Sequence, residues 1–434
     1  MKKTFPYRYR VLILLYFFTL ITYLDRTCIS LVGVRIKKEF SLTNEQFGWV
    51  LGAFALAYAL FEIPSGIVGD RIGQRKVFIR IVLWWSLFTS LTGFANGLLS
   101  LIFIRFLFGI GESGAYPTSS AVVARWFPAK ETGKSISILS MGANTGAALA
   151  PLIVIPLAVS FGWRMPFFVN GLLGVLWVIV CFAWFRNFPS EMKGITKKEQ
   201  CFIENNRKFK NKLHRLKWKK VFRSQSIWAL SIMFFCSQCG NYFFIAWMPV
   251  YLQEGRHFSE GEMKMITSAI FIPGFMGALL AGIFNDWLVK KRGLIFGRRL
   301  VGIISFAMTG MLIFVTAITT NNNLAVVCLI TAHFFYMPSV ITSFSACVDI
   351  GGENAGTVAG IMNFFGQMGS FFLAIYFGKM VDMSHGFTTP LFILSVVLVI
   401  GGLLWLAINP TRQINIETAG YTERELKTVG NLQA

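Results

Sequence analysis

Negative charge is scarce in this chain. Of 434 residues only 20 are Asp or Glu, against 41 Lys and Arg, and charged residues together make up 14% of the whole. Soluble domains carry about 25%, so an ordinary water-exposed surface is excluded. Histidine is scarcer still, with 4 residues, and the 7 cysteines are scattered rather than regularly spaced. No disulfide framework follows from them. Cys236 and Cys239 form a C-x-x-C, but inside an apolar segment without His or further Cys partners, which makes it a packing pair and not a metal site. The sequence also lacks a Gly-rich nucleotide loop, metal-ligand spacings and a nucleophile elbow. Neither an enzyme nor a protein with a metal or organic cofactor is expected.

What is abundant is apolar. Hydrophobic residues reach 55% and gather into twelve segments, roughly 11–31, 47–68, 77–95, 97–117, 134–158, 165–186, 227–250, 265–287, 300–319, 324–345, 354–378 and 389–408. Each is close to the ~20 residues a helix needs to cross a ~30 Å hydrocarbon core. β-Barrel strands would alternate over ~10 residues instead, so an all-α membrane protein with twelve transmembrane helices is expected. The first run, after MKKTFPYRYR, is too long for a signal-peptide core and lacks a small-residue cleavage site, so it reads as a retained helix. The net charge of +21 is a topology signal, because most Lys and Arg fall in the termini and the even-numbered loops. The positive-inside rule puts both termini in the cytoplasm and the chain in a cytoplasmic (inner) membrane. Nucleic-acid binding is not expected.

The longest polar interval divides the segments six and six. The expected units are a bundle over 1–186, a cytoplasmic linker over 187–226, a second bundle over 227–410 and a tail over 411–434. The linker carries TKKEQCFIENNRKFKNKLHRLKWKK, with Phe202, Phe209, Leu213 and Leu216 among basic residues, a pattern of surface helices lying on an anionic leaflet. The halves echo each other. Gly66-x-x-x-Asp70 recurs as Gly282-x-x-x-Asp286, 216 residues on, and each is followed by a basic cluster (Arg71, Arg75 and Lys76; Lys290, Lys291 and Arg292). Helix packing accounts for the glycines but not for the acid and cations that recur with them. Repeated halves with a site between them describe secondary transporters.

Ionisable residues within the apolar segments are few: Asp25, Arg26, Arg105, Glu112 and His333, with Glu62 nearer an edge. A charge at the bilayer centre costs roughly 2.5–3.5 kcal/mol on insertion scales, and such residues mark substrate or proton paths. Arg105 and Glu112 share a helix face but stand about 10.5 Å apart along the axis, so each needs another partner. Asp25 and Arg26 splay about 100° apart; the expected arrangement pairs Asp25 with Arg105 and leaves Arg26 free for a ligand. A guanidinium binds a carboxylate bidentately and stays charged, whereas an enclosed acid can load and release protons. Two fixed cations with two titratable acids suit a proton–anion symporter. The 216-residue offset carries Asp25 and Arg26 onto Asn241 and Tyr242, which makes the second half neutral-polar. Gln238, Asn241 and Gln367 line the cavity or serve as polar glue; His333 is a candidate relay or a helix–helix hydrogen-bonding group. The 44 Phe and 12 Trp are mainly packing, with Trp247, just before Pro249, an exception; Pro117, Pro273 and Pro338 mark kinks.

GIVGDRIGQRK, Gly66 to Lys76 and including Gly73, resembles the major facilitator signature G-x-x-x-D-R-x-G-R-R-K. The resemblance implies two pseudo-symmetric six-helix bundles and a role for Asp70 in latching the cytoplasmic gate. YLDR (Tyr23 to Arg26), RFLFGIGESGAYP (Arg105 to Pro117), YFFIAWMPVYL (Tyr242 to Leu252) and AGTVAGIMNFFGQMGS (Ala355 to Ser370) resemble the anion:cation symporters. That family includes bacterial galactonate, glucarate and hexuronate transporters, with sialin and the vesicular glutamate transporters as relatives. The resemblance implies that Arg26 contacts a substrate carboxylate, that Asp25 and Glu112 carry protons, and that Arg105 pairs with an acid. It further implies that Tyr23, Tyr58 and Asn363 hydrogen-bond the substrate. The chain departs from the pattern at Glu62, where many relatives are neutral, and at Gly142 and Ala143, where some sugar-acid members place a polar side chain. The expectation is a monomeric symporter importing a small organic anion, foremost a hexonate, hexuronate or glucarate, with protons (sodium being the other candidate cation). An aromatic or other small carboxylate, an organophosphate exchanger and a non-transporting sensor are the competing readings. The organophosphate exchanger is disfavoured because the seventh segment offers no third cation.

Overall fold

The computed structural model describes residues 5–128, 131–206 and 223–412, and among them every regular element is helical. In lipid the backbone has no partner but itself, and a helix closes those hydrogen bonds within one segment. The first half comprises α1 (Tyr7–Leu31), the short α2 (Gly33–Phe40), α3 (Asn44–Ile72), α4 (Gln74–Thr92), α5 (Leu98–Trp126), α6 (Thr132–Phe161) and α7 (Met165–Trp184). After α8 (Lys197–Asn205) the second half follows as α9 (Gln225–Gly255), α10 (Glu260–Arg292), α11 (Leu294–Ile318), α12 (Asn322–Gly351), α13 (Ala355–Ser384) and α14 (Thr388–Leu404). Among the described residues eleven helices are long and apolar enough to cross a membrane. Of the twelve segments expected, the one that falls outside this set is α4, whose first two turns carry Arg75, Lys76 and Arg80; it nevertheless packs against α5 and α7.

Within the first half α1 packs on α6 and α7, and α3 on α5; within the second, α9 packs on α13 and α14, and α11 on α12 and α14. Glycines set the closest approaches. A Cβ on Gly142 would overlap Thr19 Oγ1 and the Tyr16 carbonyl, and one on Gly146 the Leu20 carbonyl. The two glycines therefore seat α6 against the backbone of α1, just before Asp25 and Arg26, as small residues four apart do in membranes. Position 142 thus faces α1 and not the interior, so a polar residue could not stand there without moving α1. Asn144 donates to its own helix at Ser140 O (2.9 Å).

The chain enters and leaves each half at one end, here termed the linker face. There α8 docks on the start of α1: Glu199 accepts from the Tyr7 and Arg8 amides at 3.1 Å each, and Arg8 also reaches Glu131 at 3.1 Å. Phe202 lies beneath the Arg8 guanidinium, while Phe209, Leu213, Leu216 and most of the tail lie outside the described residues.

The two halves meet along α3 and α13, α6 and α10, and α1 and α9. Gly48 of α3 abuts the Ala374 carbonyl, and Gly378 of α13 abuts that of Asn44. In α9, π-helical turns (Phe243–Trp247 and Tyr251–Gly255) flank Pro249; proline lacks the N–H that the regular ladder would use. Trp247 is fully buried, donates to Ala374 O at 3.2 Å and meets the Phe47 ring of α3 edge-on at 6.0 Å, so the expected exception to lipid-facing aromatics is an interface residue. Pro273 and Pro338 lie inside continuous helices.

Opposite the linker face the contacts between halves become ionic. Arg35 holds Glu260 with two nitrogens at 2.7 and 2.8 Å, and Lys37 holds Glu254 at 2.6 Å. Asp382, at the end of α13, accepts from the Asn44 amide (3.1 Å), its side-chain nitrogen (2.7 Å) and the Glu45 amide (2.8 Å). A carboxylate from one half thereby caps the first turn of a helix in the other, where orphan N–H groups and the helix dipole favour an anion. A cap is worth about 1–2 kcal/mol. Asp382→Ala is therefore expected to open this face in roughly five- to thirty-fold more molecules. Spin labels on cysteines at Thr43 and Met383, with the exposed Cys201 replaced, should show a longer-distance population; an unchanged distance distribution would remove Asp382 from the closure.

Candidate functional site

Three helices of the first half place the charges. On α1, Asp25 and Arg26 point in different directions. On α3, Phe54, Tyr58 and Glu62 recur every fourth residue and so line one face. On α5, Arg105 and Glu112 are separated by Gly109, whose Cβ would overlap the Phe54 carbonyl and Ala57; that close approach brings α3 and α5 together around α1. The α-helical pattern of α5 pauses at Ser113–Gly114, directly after Glu112. Ser113 Oγ lies 2.9 Å from Ser65 Oγ of α3 at this break.

Arg26 Nε donates to Glu112 Oε2 at 3.0 Å. The acid is completely enclosed, while 14% of the arginine side chain is accessible. Around the guanidinium stand the rings of Tyr58 at 4.9 Å, Tyr23 at 5.1 Å and Phe54 at 5.3 Å, and Arg26 also hydrogen-bonds the Tyr58 oxygen. Aromatic faces attract a desolvated cation by about 2 kcal/mol. Glu112 engages only Nε, which leaves the terminal side of the fork, shared with the Tyr58 oxygen, open to a ligand.

The expected pairing of Asp25 with Arg105 is corrected by this geometry. Asp25 lies within electrostatic range of Arg105 and Glu112, yet both its oxygens are buried without a hydrogen-bond partner. Arg105, 3% exposed, rests its guanidinium against Phe108 at 4.6 Å and Phe54 at 5.0 Å. The splay along α1 explains the exchange of partners. Arg26 has the reach to meet Glu112 at the far end of the α5 face, whereas Asp25, three residues before Cys28, shares that residue's side of the helix.

The second half contributes neutral groups. Tyr336 of α12 donates to Gln238 Oε1 at 3.2 Å and accepts from Ser237 at 3.4 Å. Asn241 is partly exposed on the same helix as Gln238, and Gln367 lies one turn beyond Asn363 on α13. Tyr242 donates to Leu51 O across the halves at 2.6 Å. Asn363 Nδ2 stands 2.6 Å from each oxygen of Glu62. His333 is fully buried between Phe244 and Phe271, with Gly274 beneath its ring and its ring centroid 6.2 Å from that of Tyr336.

The signature residues sit at the linker face. Gly73 adopts φ +86°, which starts α4, and the Arg75 amide donates to Asn187 Oδ1 at 2.8 Å. The Arg75 guanidinium bonds the Phe182 carbonyl, so it fastens α4 to the end of α7. Gly66 packs near Pro117, and Lys76 and Asp286 are exposed. The side chains of Asp70 and Arg71, and with them the expected latch, lie outside the described residues. Sequence reasoning missed Phe54, Phe108 and Tyr336, although the four-residue step back from Tyr58 to Phe54 was there to be read.

Residues 15–374 match the model of the Major Facilitator Superfamily. The chain is 30% identical over 433 residues to the probable sulfoacetate transporter SauU of Cupriavidus necator, covering 98% of this chain and 100% of that protein. It is 28% identical over 414 residues to the D-galactonate transporter of Escherichia coli O6:H1, with 92% and 95% covered. A similar relation, 29% over 428 residues with 92% and 93% covered, holds with the probable galactarate/D-glucarate transporter GudP of Escherichia coli K12. Among solved structures, a bacterial homolog to the human lysosomal transporter Spinster, in an inward-facing and unoccupied conformation, superposes with a TM-score of 0.77 at 18% identity. The likeness spans 96% of this chain and 100% of that one, and is one of fold.

The partner assignment separates the two acids. Removing one member of a buried pair costs about 3–5 kcal/mol, so Glu112→Ala should lower the thermal unfolding temperature of the detergent-purified protein strongly. Asp25→Asn, which removes an acid without a partner, should leave it unchanged or raise it. Equal losses for both would contradict the assignment.

Proposed function

The chain belongs to the Major Facilitator Superfamily, and we propose that it is a proton-coupled symporter importing a small organic anion by alternating access. The observation that carries this reading is the Arg26–Glu112 pair. An incoming carboxylate that takes the free side of the guanidinium weakens the hold on Glu112, which is then an enclosed acid without its counter-ion. Protonation relieves that cost, so anion binding and proton binding favour each other. Asp25, enclosed without a hydrogen-bond partner, is the second proton carrier, and Arg105 tunes both acids through its charge. Arg26 is the anion hook. Tyr23, Tyr58, Gln238, Asn241 and Asn363 supply neutral hydrogen-bonding groups suited to a polyhydroxylated body such as the galactonate, galactarate and glucarate of some relatives, while the sulfoacetate of another has no hydroxyl; what these substrates share is that each is a small organic acid.

In this reading the chain sits as a monomer in the cytoplasmic membrane with both termini inside. The face closed by Arg35, Lys37 and Asp382 is then the outer one. The linker-face groups around Gly66, Asp70, Gly73 and Asp286 form the inner gate, and transport consists of breaking one set while the other reforms.

Uptake of radiolabelled D-galactonate, D-glucarate and sulfoacetate into proteoliposomes tests the proposal. At least one should accumulate only with an inward proton gradient. Arg26→Lys, which replaces the planar fork by a point charge, should raise the half-saturating concentration tenfold or more. Uptake that ignores the proton gradient would refute symport, and unchanged affinity in Arg26→Lys would remove Arg26 from the site.

A further inference from the structure

Glu62 has no duty in the mechanism above, yet it occupies a central position. It follows Tyr58 by one turn on α3, is 7% exposed, and is joined to the second half through Asn363. Both its oxygens share the one Asn363 nitrogen at 2.6 Å. That bifurcated arrangement suits an ionised carboxylate, which only accepts, better than a carboxylic acid, which would match one oxygen to each half of the amide. The groups that face Glu62 are Arg26 from α1, Tyr58 from its own helix, Tyr116 from α5 and Asn363 from α13, with Glu112 beyond Arg26.

The local charge count gives this contact its meaning. Two cations, Arg26 and Arg105, are enclosed with three acids, Asp25, Glu112 and Glu62, so with all ionised the site already carries one excess negative charge. An organic anion admitted there adds at least one more in a poorly solvated space, where an uncompensated charge costs several kcal/mol. The anion also needs donors, and the Asn363 amide is one that Glu62 already holds.

We propose, resting on the symport reading, that Glu62 is a third coupling acid: its carboxylate ties α3 to α13 through Asn363, and it takes up a proton when the substrate anion claims that amide. Protonation removes the negative charge that strengthens the hold on the Asn363 N–H, so the same event lets the anion win that amide and weakens the tie between the two helices. The tie lies between the closed outer contacts and the linker face, so its release is a step toward opening inward. Glu62 thus adds a proton to the transport stoichiometry.

Infrared difference spectra of the full-length protein in nanodiscs, recorded across a pH 8 to 5 step, test the acid directly and need no substrate. A carboxylic C=O band should grow in the wild type, be lost in Glu62→Gln and return, displaced, in Glu62→Asp; Glu62→Gln keeps a side chain able to bond Asn363. An unchanged band in Glu62→Gln overturns the proposal. Whichever of D-galactonate, D-glucarate or sulfoacetate the wild type carries, protons moved per anion should fall by one in Glu62→Gln while equal-pH counterflow persists. The same proton count in both proteins would equally overturn it. Failure of all three anions to move would instead strike the symport reading, with the infrared result still deciding Glu62.

Discussion

The cost of holding charge away from water governs this structure. Most of the chain is apolar helix whose backbone is satisfied internally, and such helices gain little from one another by hydrophobicity once in lipid. The charges that remain inside must therefore find partners, share rings or change protonation. Arg26 finds Glu112 and three aromatic faces, Arg105 rests on Phe54 and Phe108, and Asp25 has no hydrogen-bond partner at all. The same problem thus receives three different solutions within one cluster: a paired cation, a cation on aromatic rings and an acid without a hydrogen-bond partner.

The second consequence is mechanical. The contacts between halves are graded along the molecule: ion pairs and a borrowed helix cap opposite the linker face, glycine-mediated backbone contact along α3 and α13, and a single acid–amide bond near the middle. Ion pairs and caps are each worth about 0.5–2 kcal/mol and are made or lost as discrete units. A boundary assembled from such pieces can exchange one set for another without deforming either half, which is what two alternating arrangements require.

Much of this was legible in the sequence. The helical crossing segments, the signature around Gly66 and the enclosed ionic residues of α1 and α5 could be read from hydropathy, spacing and resemblance, and the relatives agree with the family and its organic-acid members. Three things could not. Helix α4 starts at Gln74 and so includes Arg75 and Lys76 as well as Arg80, whereas hydropathy alone begins the segment at 77. The Arg26–Glu112 pair was missed because helix periodicity gives the angle between Asp25 and Arg26 but not which of them turns toward α5. Gly142 looked like a gap in the cavity lining, whereas it is a backbone contact with α1, and only the packed neighbour shows that.

The glycine seam between α1 and α6 also bears on how such a chain can diversify. Gly142 and Gly146 press on the carbonyls of Tyr16 and Leu20, so every larger residue there would displace the helix that carries Asp25 and Arg26. Change at these two positions of α6 is thus barred by the frame, and diversity is left to residues such as Glu62 and Asn363, which meet across the halves through their side chains. A chain with this seam can vary where its halves meet while the helix that carries Asp25 and Arg26 keeps its place.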